Sequence, residues 1–373
     1  MKGGVLLAGI ATLAGTMIGA GILGMPYAIS KSGFLVGLLF ILFLGLINLN
    51  MHLYLGEVSL RTKGDHQLTG YAEKYLGKTG KYIMLFSVIF GIYSALIAYL
   101  IAEGQSLSFI LFENLNASFY LTLLFFIFAC LFVFLGLDAV KKEVSIGVIS
   151  LIVIVVIIAL FFIPKIDSIN LSYMGDNFSD LVFPYGVVFF AMLGYSALPE
   201  LKQELKKNEK LMKKCIIWGT LIPIILYILF TFVILGFMGK STPEIATFSL
   251  GKLPTLLGVV GMLNAFIILS TALKDTYHLD LKLNKILSFA LACFIPLIIF
   301  LIVYFFNFGS FVTFLELSGG ISGGITGILA LLMLYKAKKE GDRKPEYSMP
   351  LPIWIMVFLT ILFMLGIIYV LVF

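Results

Sequence analysis

Gly15-Thr-Met-Ile-Gly-Ala-Gly-Ile-Leu-Gly-Met-Pro26 lies inside Gly3–Ser30, a run of 28 residues without a formal charge. The run is long and apolar enough to cross a bilayer, whose hydrocarbon core takes about 20 residues of helix. Yet four of the ten residues from Gly15 to Gly24 are glycine, and Pro26 follows. In a helix interior, glycine costs roughly 1 kcal/mol relative to alanine and proline about 3. A segment that only had to span lipid would use leucine here. One reading is a helix that stops halfway, unwinds over Met17–Gly21 and starts again. Irregular backbone at membrane depth is tolerated only where it is buried in protein or lines a cavity, so such a break is a candidate ligand site. The other reading is a continuous helix whose Gly15 and Gly19 form a small-xxx-small seam against a neighbour.

Outward from this stretch the chain stays apolar. Of 373 residues, 61% are hydrophobic and 12% charged, about half the charge of a soluble domain. The reading is an all-α polytopic membrane protein forming a single transmembrane domain over residues 1–373. The apolar start is too long for a secretory signal, whose h-region takes about 7–15 residues. Apolar runs between charges mark eleven spans: Gly4–Ser30, Phe34–Gly56, Ile83–Leu111, Phe119–Leu137, Val144–Ile163, Leu181–Pro199, Cys215–Met238, Leu253–Leu273, Ile286–Phe305, Gly309–Leu334 and Pro350–Val372. The ninth and tenth divide at Asn307-Phe-Gly-Ser310, where turn-forming residues interrupt the pattern. With the amino terminus inside, all but four of the 26 basic residues fall in inner segments; Lys31, Lys165, Lys240 and Lys252 are outside. That bias sets the orientation and puts the carboxyl terminus outside. The basic residues sit between apolar runs, so the net charge of +6 is no sign of nucleic-acid binding. Cys130, Cys215 and Cys293 read as small core hydrophobes, with neither metal nor disulfide spacing.

The connections carry three further expectations. Thr69–Tyr75 is expected to form a short helix along the inner membrane face. Glu200–Lys214 is expected to extend the sixth span helically into the cytoplasm, with Leu201 and Leu205 on its buried side. Three N-x-S/T sequons, at Asn116, Asn170 and Asn177, fall in outer loops and agree with the orientation.

The sixth span reads Phe183-Pro-Tyr-Gly-Val-Val-Phe-Phe-Ala-Met-Leu-Gly-Tyr-Ser-Ala-Leu-Pro199. Gly194 stands five residues before Pro199, as Gly21 does before Pro26. An offset of five spans puts the second copy in the opposite orientation. Paired interrupted segments in corresponding places of two halves point to a transporter built from inverted repeats, here 4–163 and 181–334 with 350–372 as an extra helix. The pairing favours the broken-helix reading over the seam, with the second break at Ala191–Gly194.

The first-helix stretch, continued through Tyr27-Ala28 and followed by Ser32-Gly-Phe34, resembles the signature of the amino acid/auxin permease family and the related aromatic amino acid permeases. These belong to the amino acid–polyamine–cation superfamily with the leucine-transporter fold. Phe190–Pro199, Ala98-Tyr99, Ser270-Thr271 and the span count extend the resemblance over nearly the whole chain. It implies a permease moving amino acids by alternating access, coupled to Na+ or H+, in the plasma membrane. It implies no other cofactor, and no obligate protein partner is evident beyond the bilayer.

A half-helix starting near Gly21 aims free N–H groups and a positive dipole end at its surroundings, which suits a carboxylate. The resemblance then implies that the substrate carboxylate meets Gly19, Ala20 and Gly21. Thr16, Tyr99, Phe190, Gly194 and Tyr195 complete the expected substrate set, with the two aromatics of the sixth span flanking the side chain. With 35 Phe and 17 Tyr in the chain, each aromatic alone reads as core packing before it reads as a ligand contact. No charge near them pairs with an acidic or basic side chain, so a neutral, large or aromatic amino acid is expected. By the same resemblance, a sodium site would draw on Gly15, Ile18, Ile267, Ser270 and Thr271; the last three share a helix face. The two hydroxyls are equally able to bond back to their own helix. The fifth span has no lysine to replace the cation.

Glu103 and Glu316 lie within apolar runs, where ionisable residues are functional by default; they are read either as lining an outer vestibule or as carrying a proton. His52 reads as a packed histidine. Gly320-Ile-Ser-Gly323 matches a G-x-S-G intramembrane protease motif, but no histidine follows it, so no enzyme is expected. A receptor of the same fold, sensing a ligand without carrying it, is the alternative.

Overall fold

In a computed structural model, which describes residues 2–135 and 144–372, every regular element among those residues is helical. In chain order the principal helices are α1 (Lys2–Met17), α2 (Gly21–Ser32), α3 (Phe34–Arg61), α4 (Leu68–Phe112), α5 (Ser118–Leu135), α6 (Val144–Phe162), α7 (Phe178–Val182) and α8 (Pro184–Ala191). They continue with α9 (Ala197–Glu204), α10 (Met212–Met238), α11 (Lys252–Asp275), α12 (Lys285–Phe306), α13 (Phe311–Leu317), α14 (Gly324–Glu340) and α15 (Ile353–Val372). Eight of the described helices are long and apolar enough to cross a membrane, or nine if α1 and α2, bent by 51°, count as one span. Two shorter apolar helices cover 152–165 and 178–191. The inner-loop lysines Lys141 and Lys142 and the end of the Phe119–Leu137 run lie outside the described residues.

Glycine shapes the bundle at its turns. At Gly77 (φ 72) α4 breaks direction, so a short helix from Leu68 precedes the span, as expected for Thr69–Tyr75. Asn307 (φ 51) ends α12 and the capping box of Ser310 and Thr313 starts α13, which separates the two runs where the sequence divides them. Between α13 and α14, Ser318–Gly323 forms a π-helical segment. Its small residues let α4 approach: Ser318 donates to the Gly91 carbonyl (3.0 Å) and Ser322 to the Ser87 carbonyl (2.7 Å). The G-x-S-G stretch is therefore a packing seam.

Glu200–Lys214 departs from the sequence expectation. α9 ends at Glu204, Lys207 takes a positive φ of 75°, and one 3-10 turn at Glu209–Leu211 leads into α10. Two successive helices must reverse direction here, and fifteen helical residues would carry the chain away from the bundle. The reversal is anchored by Lys202, whose amine donates to the Thr62 and Gly64 carbonyls (2.8 and 2.7 Å), and by the Arg343–Glu209 ion pair (2.7 Å). Leu201 and Leu205 are fully buried, as expected.

A second anchor closes the same end of the bundle. The carboxylate of Glu57, fully buried at the end of α3, accepts from Arg61 (2.8 Å), Lys338 (2.9 Å), Ser348 (2.9 Å) and the Met349 amide (2.6 Å). The strap between α14 and α15 is thereby fixed over α3.

Candidate functional site

The first interruption begins one residue after α1. The Ile18 amide still donates to Ala14 as in a helix (2.8 Å), but that of Gly19 folds back onto the Met17 carbonyl (2.8 Å). Regular bonding resumes through Ile22 to Gly19 (3.4 Å) and Leu23 to Ala20 (3.0 Å). The lapse falls within Met17–Gly21, as the glycine spacing predicts. The amides of Ala20 and Gly21 are left at the positive end of α2, where a helix has no internal acceptors for them. From α4 the Tyr99 hydroxyl faces the Ala20 amide and stands 3.6 Å from where a Cβ on Gly19 would lie.

The second interruption lies between α8 and α9. The Met192 amide donates to Val188 and Phe189 (3.1 Å each), that of Leu193 to Phe190 (3.0 Å), and α9 starts by donating from Ala197 to Gly194 (3.1 Å). The lapse covers 192–196, overlapping the expected Ala191–Gly194. The two breaks touch. A Cβ on Gly21 would sit 2.5 Å from the Ala191 Cβ, and one on Gly194 would sit 2.8 Å from Leu13 and 3.1 Å from Met17. Only glycine allows this approach of backbone to backbone.

One side chain joins the two. Tyr227, fully buried on α10, places its hydroxyl 2.6 Å from the Met17 carbonyl and 2.9 Å from that of Ala191. These carbonyls end α1 and α8, so both are negative poles of half-helices. A hydroxyl has one proton to donate. Met17 already accepts from Gly19, which leaves acceptor capacity on Ala191.

The other expected residues divide. Tyr195 is buried, but its hydroxyl donates to Asn48 of α3 (2.6 Å) and its ring meets His52 edge-on at 5.4 Å. His52 in turn pairs with Thr220 of α10 (2.9 Å), so a polar layer supports the second break from behind. Phe190 is half-buried beside Gly319. Thr16 is exposed and bonds back to the Thr12 carbonyl (2.8 Å). Of the expected cation set, Gly15 and Ile18 lie at the first break and Ile267, Ser270 and Thr271 on α11. α1 packs along α10, α6 and α9, and no comparable packing joins it to α11. The buried Ser270 hydroxyl has no partner. Glu103 is fully buried with neither oxygen paired. Glu316 lines a separate cavity of about 300 Å³ with Glu244, Tyr27 and Phe183. Among the described residues no three His, Cys, Asp or Glu side chains gather to hold a metal.

Sequence reasoning passes over Tyr227, Asn48 and Thr220. The available signal is that each is a polar group in an apolar run, which must find a partner once buried.

The profile of the tryptophan/tyrosine permease family matches residues 2–270. Tyrosine-specific transport system 1 of Haemophilus influenzae is 29% identical over 221 residues, covering 58% of this chain and 54% of that protein. Amino acid transporter ANT1 of Arabidopsis thaliana is 27% identical over 263 residues, covering 63% and 57%. The chain thus spans little more than half the length of these relatives. Among solved structures, that of MhsT in complex with L-phenylalanine superposes with a TM-score of 0.67 at 14% identity, covering 98% of this chain and 97% of the other. That likeness gives the fold, the leucine-transporter fold.

Proposed function

This chain belongs to the tryptophan/tyrosine permease family, a family of transporters and not of enzymes, and from that premise we propose that it carries a neutral amino acid, large or aromatic, by cation-coupled alternating access. The observation that carries this is the meeting of the two breaks. The Ala20 and Gly21 amides offer donors for a carboxylate, and the Ala191 carbonyl, sharing one hydroxyl proton with Met17, offers an acceptor for an ammonium. A zwitterion needs that pair of poles and no charged side chain. Tyr99 faces the same backbone. The names of the relatives, one of them tyrosine-specific, support an aromatic substrate.

The proposed topology counts the two shorter apolar helices as spans, making eleven, with residues 4–163 and 181–334 as inverted repeats. It puts the amino terminus inside, the carboxyl terminus outside and the protein in the plasma membrane. For the coupling ion, the unpaired Ser270 hydroxyl supports sodium at Gly15, Ile18, Ile267, Ser270 and Thr271. Buried Glu103, with both oxygens unpaired, favours protons as the second reading. Proteoliposomes loaded with the purified chain should accumulate labelled tyrosine, tryptophan or phenylalanine when an inward sodium or proton gradient is applied. Saturable binding without accumulation under either gradient would replace the transporter with the receptor reading. Failure of any amino acid to bind would overturn both.

A further inference from the structure

A second cavity lies at the junction of α5, α11 and α12. Its volume is about 370 Å³, and among the described residues it is lined by Val133, Phe134, Lys274, Asp275, His278, Lys285, Ile286 and Phe289. Its polar side is cationic. Lys274 donates one of its three N–H bonds to the Val133 carbonyl near the end of α5 (3.1 Å), which fixes the amine at the wall. His278 pairs its Nδ1 with the Leu283 carbonyl (2.8 Å) and keeps Nε2 available. Lys285 and Ile286 open α12. In that first turn the Leu287 amide donates to the Asn284 side chain (2.8 Å) and that of Ser288 to the Asn284 carbonyl (2.9 Å). The amides of Lys285 and Ile286 remain, at the positive end of a 22-residue helix. Among the described residues Asp275 is the one carboxylate of the wall, and it offsets part of this charge.

The other side is apolar and open. Phe134 and Ile286 are largely exposed, and Phe134 meets Phe289 edge-on at 5.4 Å. On the orientation proposed above, the cavity opens at the headgroup level of the inner leaflet. We propose that it is a binding site for the phosphate headgroup of an anionic phospholipid, held by Lys274, Lys285 and the first-turn amides of α12, with the acyl chains running over Phe134 and Ile286. Basic pockets between membrane helices on the inner side suit such headgroups. A soluble phosphate shares the charge but has nothing to place on the exposed rings, which is why the lipid is favoured.

The test uses the full chain in detergent and native mass spectrometry, titrating phosphatidylglycerol and, separately, phosphatidylcholine. Phosphatidylglycerol should be retained selectively. Lys274→Gln with Lys285→Gln should weaken its retention roughly 30-fold, about fivefold for each lysine. Lys285→Gln alone, at an exposed position that cannot disturb α5, should cost about fivefold. Asp275→Asn should strengthen retention. Equal retention of the two lipids, or a preference untouched by Lys285→Gln, would overturn the proposal. So would displacement of the lipid by millimolar inorganic phosphate, which would mark a soluble anion as the occupant.

Discussion

The Tyr227 hydroxyl lies 2.6 Å from the Met17 carbonyl at the end of α1, and its second acceptor, at 2.9 Å, is Ala191 at the end of α8. A single side chain on α10 therefore fixes the distance between the two half-helix ends. Tyr227→Phe keeps the ring and removes the bond. Stranding a buried carbonyl costs about 1–3 kcal/mol, and here the loss falls where the substrate ammonium is proposed to sit. The variant should remain folded by size-exclusion chromatography, melt at a lower temperature and bind amino acid roughly tenfold more weakly. Unchanged binding with the lower melting temperature would confine Tyr227 to a structural role.

The two breaks were legible because glycine and proline at membrane depth oppose a helix, and that cost leaves a mark in the sequence. The bridge between them was not. Tyr227 is one of 17 tyrosines, and its partners are carbonyls, which every residue has. Glu200–Lys214 misleads for a related reason: alternating lysine and glutamate looks the same on an exposed helix and on a turn, and only the reversal into α10 tells them apart. Tyr195 and Phe190 were identifiable as neighbours of the second break, but their directions depend on α3 and on the π segment between α13 and α14. Glu57 reads as a charge at the end of a span, since Lys338, Ser348 and Met349 lie nearly 300 residues further along the chain.

Gly21 lies directly against Ala191 where the two interrupted helices meet. A methyl group on Gly21 has nowhere to go, with the Ala191 Cβ at 2.5 Å and its Cα at 2.7 Å. Overpacking of this kind costs about 1–3 kcal/mol. Gly21→Ala should reduce amino acid binding roughly tenfold or more, and Gly21→Leu should abolish uptake. Ala191→Gly should restore part of the binding to Gly21→Ala, because it removes one of the two colliding methyl groups. Binding measured on the three variants by isothermal titration checks the pair directly. A Gly21→Leu protein that still carries amino acids would sink the site assignment.

Glu57, itself fully buried, accepts from four donors, of which Ser348 and the Met349 amide lie on the strap between α14 and α15. Removing one partner from a buried ion pair costs about 3–5 kcal/mol because the remaining charge is left uncompensated. Glu57→Ala leaves the Met349 amide without its acceptor and the Lys338 amine, which still donates to Ser348 and the Met349 carbonyl, without its carboxylate. It should lower the melting temperature of the detergent-purified chain far more than Glu209→Ala does, since the Arg343–Glu209 pair is more exposed. Equal losses would mean that the strap contributes little to the bundle.

Ser270 and Glu103 represent the two coupling ions, and their chemistry separates them. A buried hydroxyl without a protein partner either bonds a water or supplies an oxygen to a cation. If it supplies an oxygen, Ser270→Ala should raise the sodium needed for half-maximal uptake roughly tenfold, the cost of one hydrogen-bond-strength contact to a charge. Uptake at saturating sodium should be preserved, and Thr271→Ala should act in the same direction. Glu103→Gln keeps size and polarity but cannot exchange a proton. Under sodium coupling it should leave the response to a proton gradient as it was. If uptake ignores sodium, follows an inward proton gradient and loses that dependence in Glu103→Gln, then the ion is a proton. The lack of extensive packing between α1 and α11 would then be a feature of the working protein, since no cation would need to draw them together.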